Sequence, residues 1–96
     1  MRYAAKVDDN QSEIVKALRK AGAVVLITSQ LKNAFDLLVG YRGNLFIVEI
    51  KDGNKIPSKR KLTEGEQKCK DNFNSVGVDY HIVKNIKEAI ELINKS

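Results

Sequence analysis

The stretch Ile47–Gln67, IVEIKDGNKIPSKRKLTEGEQ, decides how this chain is read. It opens on the end of an apolar run, Leu45-Phe46-Ile47-Val48, and then sets Glu49 and Lys51 two residues apart. Side chains alternate along a strand, so both charges share a face with Leu45 and Ile47. A carboxylate and an ammonium on a core-side face cost folding free energy unless they are paired or bind something. Either the strand is leaving the core here, or it exists to present these two groups.

Working upstream, Phe35–Tyr41 reads as a second strand and Arg42-Gly43-Asn44 as the turn before Leu45–Lys51. A two-residue Gly43-Asn44 loop, with Gly first as a type II′ turn prefers, pairs Arg42 with Leu45. The same ladder pairs Leu38 with Glu49 and Asp36 with Lys51. Asp36, Glu49 and Lys51 then lie on one face, with Asp36 diagonal to Glu49 at about 7–8 Å between Cα atoms. Two carboxylates at that spacing can converge on one metal ion. A three-residue loop without a bulge would move Asp36 to the other face, so the constellation depends on register. The plainer reading is a cross-strand Asp36–Lys51 salt bridge with Glu49 left to solvent.

The remaining elements follow from periodicity. Ile14, Ala17, Leu18 and Ala21 make one apolar stripe on a helix from Asn10 to about Ala21, which Gly22 ends. Ala23–Thr28 is a short apolar run and reads as a buried strand. Gly53 and Pro57 break the loop Asp52–Leu62. A helix follows over Glu64–Ser75 with Cys69, Phe73 and Val76 on its apolar side, then a strand over Val78–Val83. A last helix, Ile86–Asn94, buries Ile86, Ala89, Ile90 and Ile93. Asn10-x-x-Glu13, Thr63-x-x-Glu66 and Asn85-x-x-Glu88 each have capping-box spacing. The order α-β-β-β-α-β-α implies an α/β fold: a meander of three strands, and a fourth added to a mixed sheet after a helical crossover.

Composition narrows the function classes. Ninety-six residues with 43% hydrophobic and 30% charged side chains fit one soluble domain spanning residues 1–96. No apolar run approaches a membrane span or a signal peptide, so an intracellular, cytoplasmic protein is expected. The single cysteine, Cys69, excludes an internal disulfide and a cysteine-rich zinc site. The net charge of +5 suits a polyanion, and its placement says more. Lys51, Lys55, Lys59, Arg60 and Lys61 face one acid, Asp52, over eleven residues, which suits contact with nucleic-acid phosphates; a solvated basic loop is the alternative. His81 stands alone, without a catalytic partner that the sequence identifies. No glycine-rich phosphate loop is present, against an NTPase.

Beyond these readings, FDLLVGYRGNLFIVEIKDGNK (Phe35–Lys55) followed by KLTEGEQ (Lys61–Gln67) resembles the core of the PD-(D/E)XK nuclease superfamily. It is most similar to small stand-alone VRR-Nuc-type domains of the kind found in phages. Phe35 stands where the family name calls for proline. The resemblance implies a restriction-endonuclease-like αβββαβ core with an additional C-terminal helix. It also implies that Asp36, Glu49 and the Ile50 carbonyl ligate Mg²⁺ or Mn²⁺, and that Lys51 orients the attacking water. Glu13 would match an acidic residue of the first helix that can reach the metal, although its capping box explains it equally well. Gln67 would match the family's second-helix glutamine; surface filler is the alternative. The implied activity is that of an endodeoxyribonuclease, acting as a homodimer on branched DNA such as a four-way junction. A non-catalytic nucleic-acid-binding module on the same fold is the alternative, and a protein-interaction domain built on a salt-bridged hairpin is a third.

Overall fold

The computed structural model of the chain describes residues 10–52 and 61–95. Lys55, Lys59 and Arg60 of the basic loop lie outside these residues, and Lys61 is exposed. The elements are α1 (Gln11–Lys20), β1 (Val24–Ile27), β2 (Leu37–Tyr41), β3 (Asn44–Ile50), α2 (Glu64–Ser75), β4 (Tyr80–Val83) and α3 (Ile86–Asn94). Their order is the one periodicity predicts. The sheet runs β1-β2-β3-β4, with β4 parallel to β3 and the other pairs antiparallel. Parallel strands need a long crossover, and α2 supplies it.

Alternation divides the sheet into two unlike faces. Val25, Leu37, Val39, Phe46, Val48, Ile50 and Val83 point one way and bury against Ile14, Val15 and Leu18 of α1 and Ala89 and Ile93 of α3. The opposite face carries Glu49, Lys51 and Tyr80 and meets α2, through the Glu66 contact with Lys51. There α2 covers only part of the sheet. None of its residues is fully buried, and Val76 is 74% exposed rather than packed with Cys69 and Phe73 as its spacing predicts. The reason is local: Val76 is already the C-cap, and the chain turns away there. Ile86, expected in the core, is 37% exposed because it occupies the first position of α3.

Helix ends explain where the chain turns. Gly22 (φ 103°) donates to Arg19 O while Ala23 donates to Leu18 O; Gly77 (φ 83°) and Val78 repeat this pairing onto Asn74 and Phe73. Both are Schellman motifs, which need a left-handed residue that glycine adopts without strain. Of the three expected capping boxes only Thr63–Glu66 closes in both directions. Asn85 Oδ1 accepts from Glu88 N–H, but the Glu88 carboxylate reaches back one residue further, to Lys84 N–H. Asn10 makes no side-chain cap; its amide turns away to the Lys84 carbonyl at 3.0 Å and ties the start of α1 to the end of β4.

The β2–β3 hairpin differs from the expected register. Arg42 (φ 49°) and Gly43 (φ 81°) form the two-residue loop, a type I′ turn, and Tyr41 pairs with Asn44. The Arg42 guanidinium lies 5.0 Å over the Tyr41 ring and the Arg42 carbonyl accepts from Asn44, contacts that hold a non-glycine residue in the left-handed region. The ladder is shifted by two residues from the Gly43-Asn44 prediction. A shift of two, unlike a shift of one, returns every side chain to the same face. Asp36 therefore stays on the face of Glu49 and Lys51.

Candidate active site

Asp36 precedes β2 by one residue, and Glu49 and Lys51 lie at the carboxyl end of β3, so the hairpin brings all three to one end of the sheet. The main chain of Asp36 is pinned between two strands: its carbonyl accepts from Thr28 N–H at 2.7 Å and its N–H donates to Val48 O at 3.0 Å. Its carboxylate is fixed as well, Oδ2 accepting the Ile50 N–H at 2.8 Å.

Glu49 is 2% exposed, so it is not the solvated residue of the salt-bridge reading. The Tyr80 hydroxyl donates to the Ala34 carbonyl at 2.9 Å and lies 3.3 Å from Glu49 Oε1. Lys51 Nζ stands 3.5 Å from Glu49 Oε2 and 2.9 Å from Glu66 Oε1. Burial first, then the charge of Asp36 and the contact with Glu66, pushes the Glu49 carboxyl up to about 9, and Lys51 offsets only part of this. Burial also opposes ionisation of Glu66, but hydrogen bonds from Thr63, Glu49 and Lys51 outweigh it and hold that carboxyl below its ordinary value. The Tyr80 phenol is raised, by burial and then by Glu49.

A cavity of about 220 Å³ opens between the β1–β2 connection and the start of α2, lined by Ser29, Lys32, Asn33, Asp36, Glu49 and Glu66 among others. The donor set suits a hard cation. A buried carboxylate beside a second one is stabilised by a divalent ion, and oxygen donors suit Mg²⁺ or Mn²⁺. Among the described residues no three His, Cys, Asp or Glu side chains converge into a ready-made cage.

The two helical candidates sit elsewhere. Gln67 is exposed and donates to Asp71 Oδ1 at 3.0 Å, and it does not line the cavity. Glu13 is exposed, about 100° around α1 from the stripe residue Ile14. From α1 it is Gln11, one turn before Ile14 on the buried stripe, that approaches the site: its Nε2 donates to Ser29 Oγ at 3.4 Å. Two further residues escaped the sequence reading. Tyr80 needed the β3–β4 register, which sets it beside Ile47, to be placed near Glu49. Glu66 was legible only as the third residue of its capping box.

No protein-family model matches the chain, and neither does any curated protein. A solved structure described as a VRR_NUC domain superposes with a TM-score of 0.65 at 24% sequence identity, covering 91% of this chain and 97% of that one. The fold is that of a VRR_NUC domain. Within the VRR_NUC fold of this chain, the parallel β3–β4 pair and the crossover helix α2 set Glu49, Tyr80 and Glu66 side by side. Among the described residues no helix is long and apolar enough to cross a membrane.

Proposed function

We propose that the chain is a metal-dependent endodeoxyribonuclease. The observation that carries the reading is the buried Glu49 carboxyl beside Asp36 in one cavity, with Lys51 Nζ 3.5 Å away. Asp36 and Glu49 would hold Mg²⁺ or Mn²⁺, with the Ile50 carbonyl as a third ligand. Such an ion supplies Lewis-acid charge and a more acidic water. Lys51 orients the attacking water and offsets charge that develops on the phosphoryl oxygens. The exposed Lys61, together with Lys55, Lys59 and Arg60, supplies phosphate contacts that set affinity rather than chemistry. The likeness to a VRR_NUC domain supports the same reading. Branched DNA, a four-way junction in particular, is the substrate class, and the working unit is a homodimer. Phosphate and shape contacts carry no base sequence, and a two-fold pair of sites matches a junction's symmetry.

The test is incubation with labelled duplex, flap and four-way junction DNA, with Mg²⁺ and with EDTA. Cleavage should need the metal and favour the junction. Asp36→Ala should lower turnover by about 100-fold or more while DNA affinity changes little. Metal-dependent binding without cleavage would move the chain to the non-catalytic class, and cleavage that survives EDTA would remove the carboxylates from the chemistry.

A further inference from the structure

The acid end of the sheet contains one carboxylate that the nuclease reading does not use. Glu66 Oε1 accepts two hydrogen bonds at once, from Thr63 N–H at 2.9 Å and from Lys51 Nζ at 2.9 Å. The Thr63 hydroxyl in turn accepts from Glu66 N–H at 3.2 Å, so the capping box fixes both ends of the Glu66 side chain. The Lys51 side chain is 11% exposed and that of Glu66 20%, which shields the pair from water. A lysine carries four rotatable bonds and reaches its ammonium position at an entropic cost unless a partner holds it there.

We infer that Glu66 is the positioning residue for Lys51. This rests on the nuclease reading for what Lys51 does, and on the geometry alone for how it is held. The start of α2 is locked to Thr63 by its cap, and that lock is passed through one carboxylate oxygen to the ammonium. The contact of Lys51 with Glu49 is the longer one, at 3.5 Å. The N-terminus of α2 is thus a part of the site, and its cap serves Lys51 as well as the helix.

The experiment compares Glu66→Ala, Glu66→Gln and Thr63→Ala in the full chain. Three readouts are used: single-turnover cleavage, Mg²⁺ affinity by calorimetry, and the order of the Lys51 side chain by NMR of its labelled ε-carbon and ζ-nitrogen. A hydrogen bond to a charged group lost from Lys51 should lower the cleavage rate about tenfold or more in Glu66→Ala. DNA affinity should stay within about twofold, Mg²⁺ should still bind, and the Lys51 ammonium should become mobile. Glu66→Gln, whose amide oxygen accepts from the same two donors, should keep Lys51 ordered and recover most of the rate. Thr63→Ala should loosen the helix end and cost far less in rate. An ordered Lys51 in Glu66→Ala, or a Thr63→Ala defect as large as that of Glu66→Ala, overturns the inference. If the parent chain cleaves no DNA, the nuclease reading falls, and the Lys51 order measurement still decides the positioning role.

Discussion

At the scale of single residues, Glu49 is under opposite demands. Folding has placed it at 2% exposure beside Asp36, where a charge is costly, while the proposed chemistry needs it charged against a metal. A neutral isostere separates the two. Glu49→Gln keeps a partner for Tyr80 and for Lys51 and takes no charge into the interior. In EDTA its melting temperature should equal or exceed the parent's, while cleavage with Mg²⁺ falls by about 100-fold or more; a large loss of stability would show the carboxylate to be structural. His81 makes the opposite case. Burial, and secondarily Lys95, lowers its pKa below the ordinary 6.5 against the pull of Asp79. The unfolded chain then binds more protons through that window, so stability is full above pH 6.5 and drains as pH falls through it. Glu49, raised by its burial, works in the opposite sense in both proteins, so the comparison is a difference: relative to His81→Phe, whose ring keeps the edge contact that His81 makes with Phe46, the parent's urea midpoint should lose ground as pH goes from 7.5 to 5. Asp36, Glu49 and Lys51 were legible because alternation and the parity of the hairpin fix their face. Tyr80 and Glu66 were not, because they reach the site from elements whose packing no local pattern specifies.

At the scale of elements, the position of α2 depends on one glycine inside it. A Cβ on Gly65 would collide with the side chain of Asn33, which itself sits at φ 56° in the β1–β2 connection. Glycine within a helix costs about 1 kcal/mol relative to alanine, so an exposed helix would gain from the exchange. Here the sign should reverse. Gly65→Ala should lower the melting temperature and, by pushing the first turn of α2 off the β1–β2 connection, move Glu66 from Lys51; a stabilised variant with parental cleavage would refute this. The same element shows what sequence can and cannot fix. The start of α2 was readable, since Thr63 and the capping box mark it. Its burial was not, since the spacing of Cys69, Phe73 and Val76 cannot tell how much of the helix reaches past the sheet. The hairpin is a parallel case. Choosing between Gly43-Asn44 and Arg42-Gly43 turned on Arg42 accepting a left-handed conformation, which its stacking on Tyr41 permits and its residue type alone does not suggest.

At the scale of the whole molecule, the sheet has one covered face and one half-covered face. On the latter, Val24 and Leu45 are 76% and 71% exposed, and Leu26, paired with Leu38, is 58% exposed. Exposed apolar residues grouped on one face mark an interaction surface. The outer edge of β1, which no other described strand pairs, is a weaker candidate, because the Arg19 guanidinium occupies the Val25 carbonyl at 2.9 Å and so blunts strand-to-strand pairing. A proposed homodimer is therefore best built face to face through Val24, Leu26 and Leu45, leaving the acid end of each sheet uncovered for DNA. Two-fold symmetry would place each of these residues in contact with the same patch on its partner, so one charge introduced in one chain meets another of the same sign nearby. Leu26→Lys should convert a dimer to a monomer in size-exclusion chromatography with light scattering at micromolar concentration. Its melting temperature should fall only by the linkage lost with the partner, since position 26 faces outward. The monomer should still bind Mg²⁺ at Asp36 and Glu49 and should lose its preference for four-way junctions over plain duplex. A parent chain that is monomeric throughout, or a Leu26→Lys variant that remains dimeric, would assign this apolar face to some other partner and return junction preference, if it is observed, to a single copy of the fold.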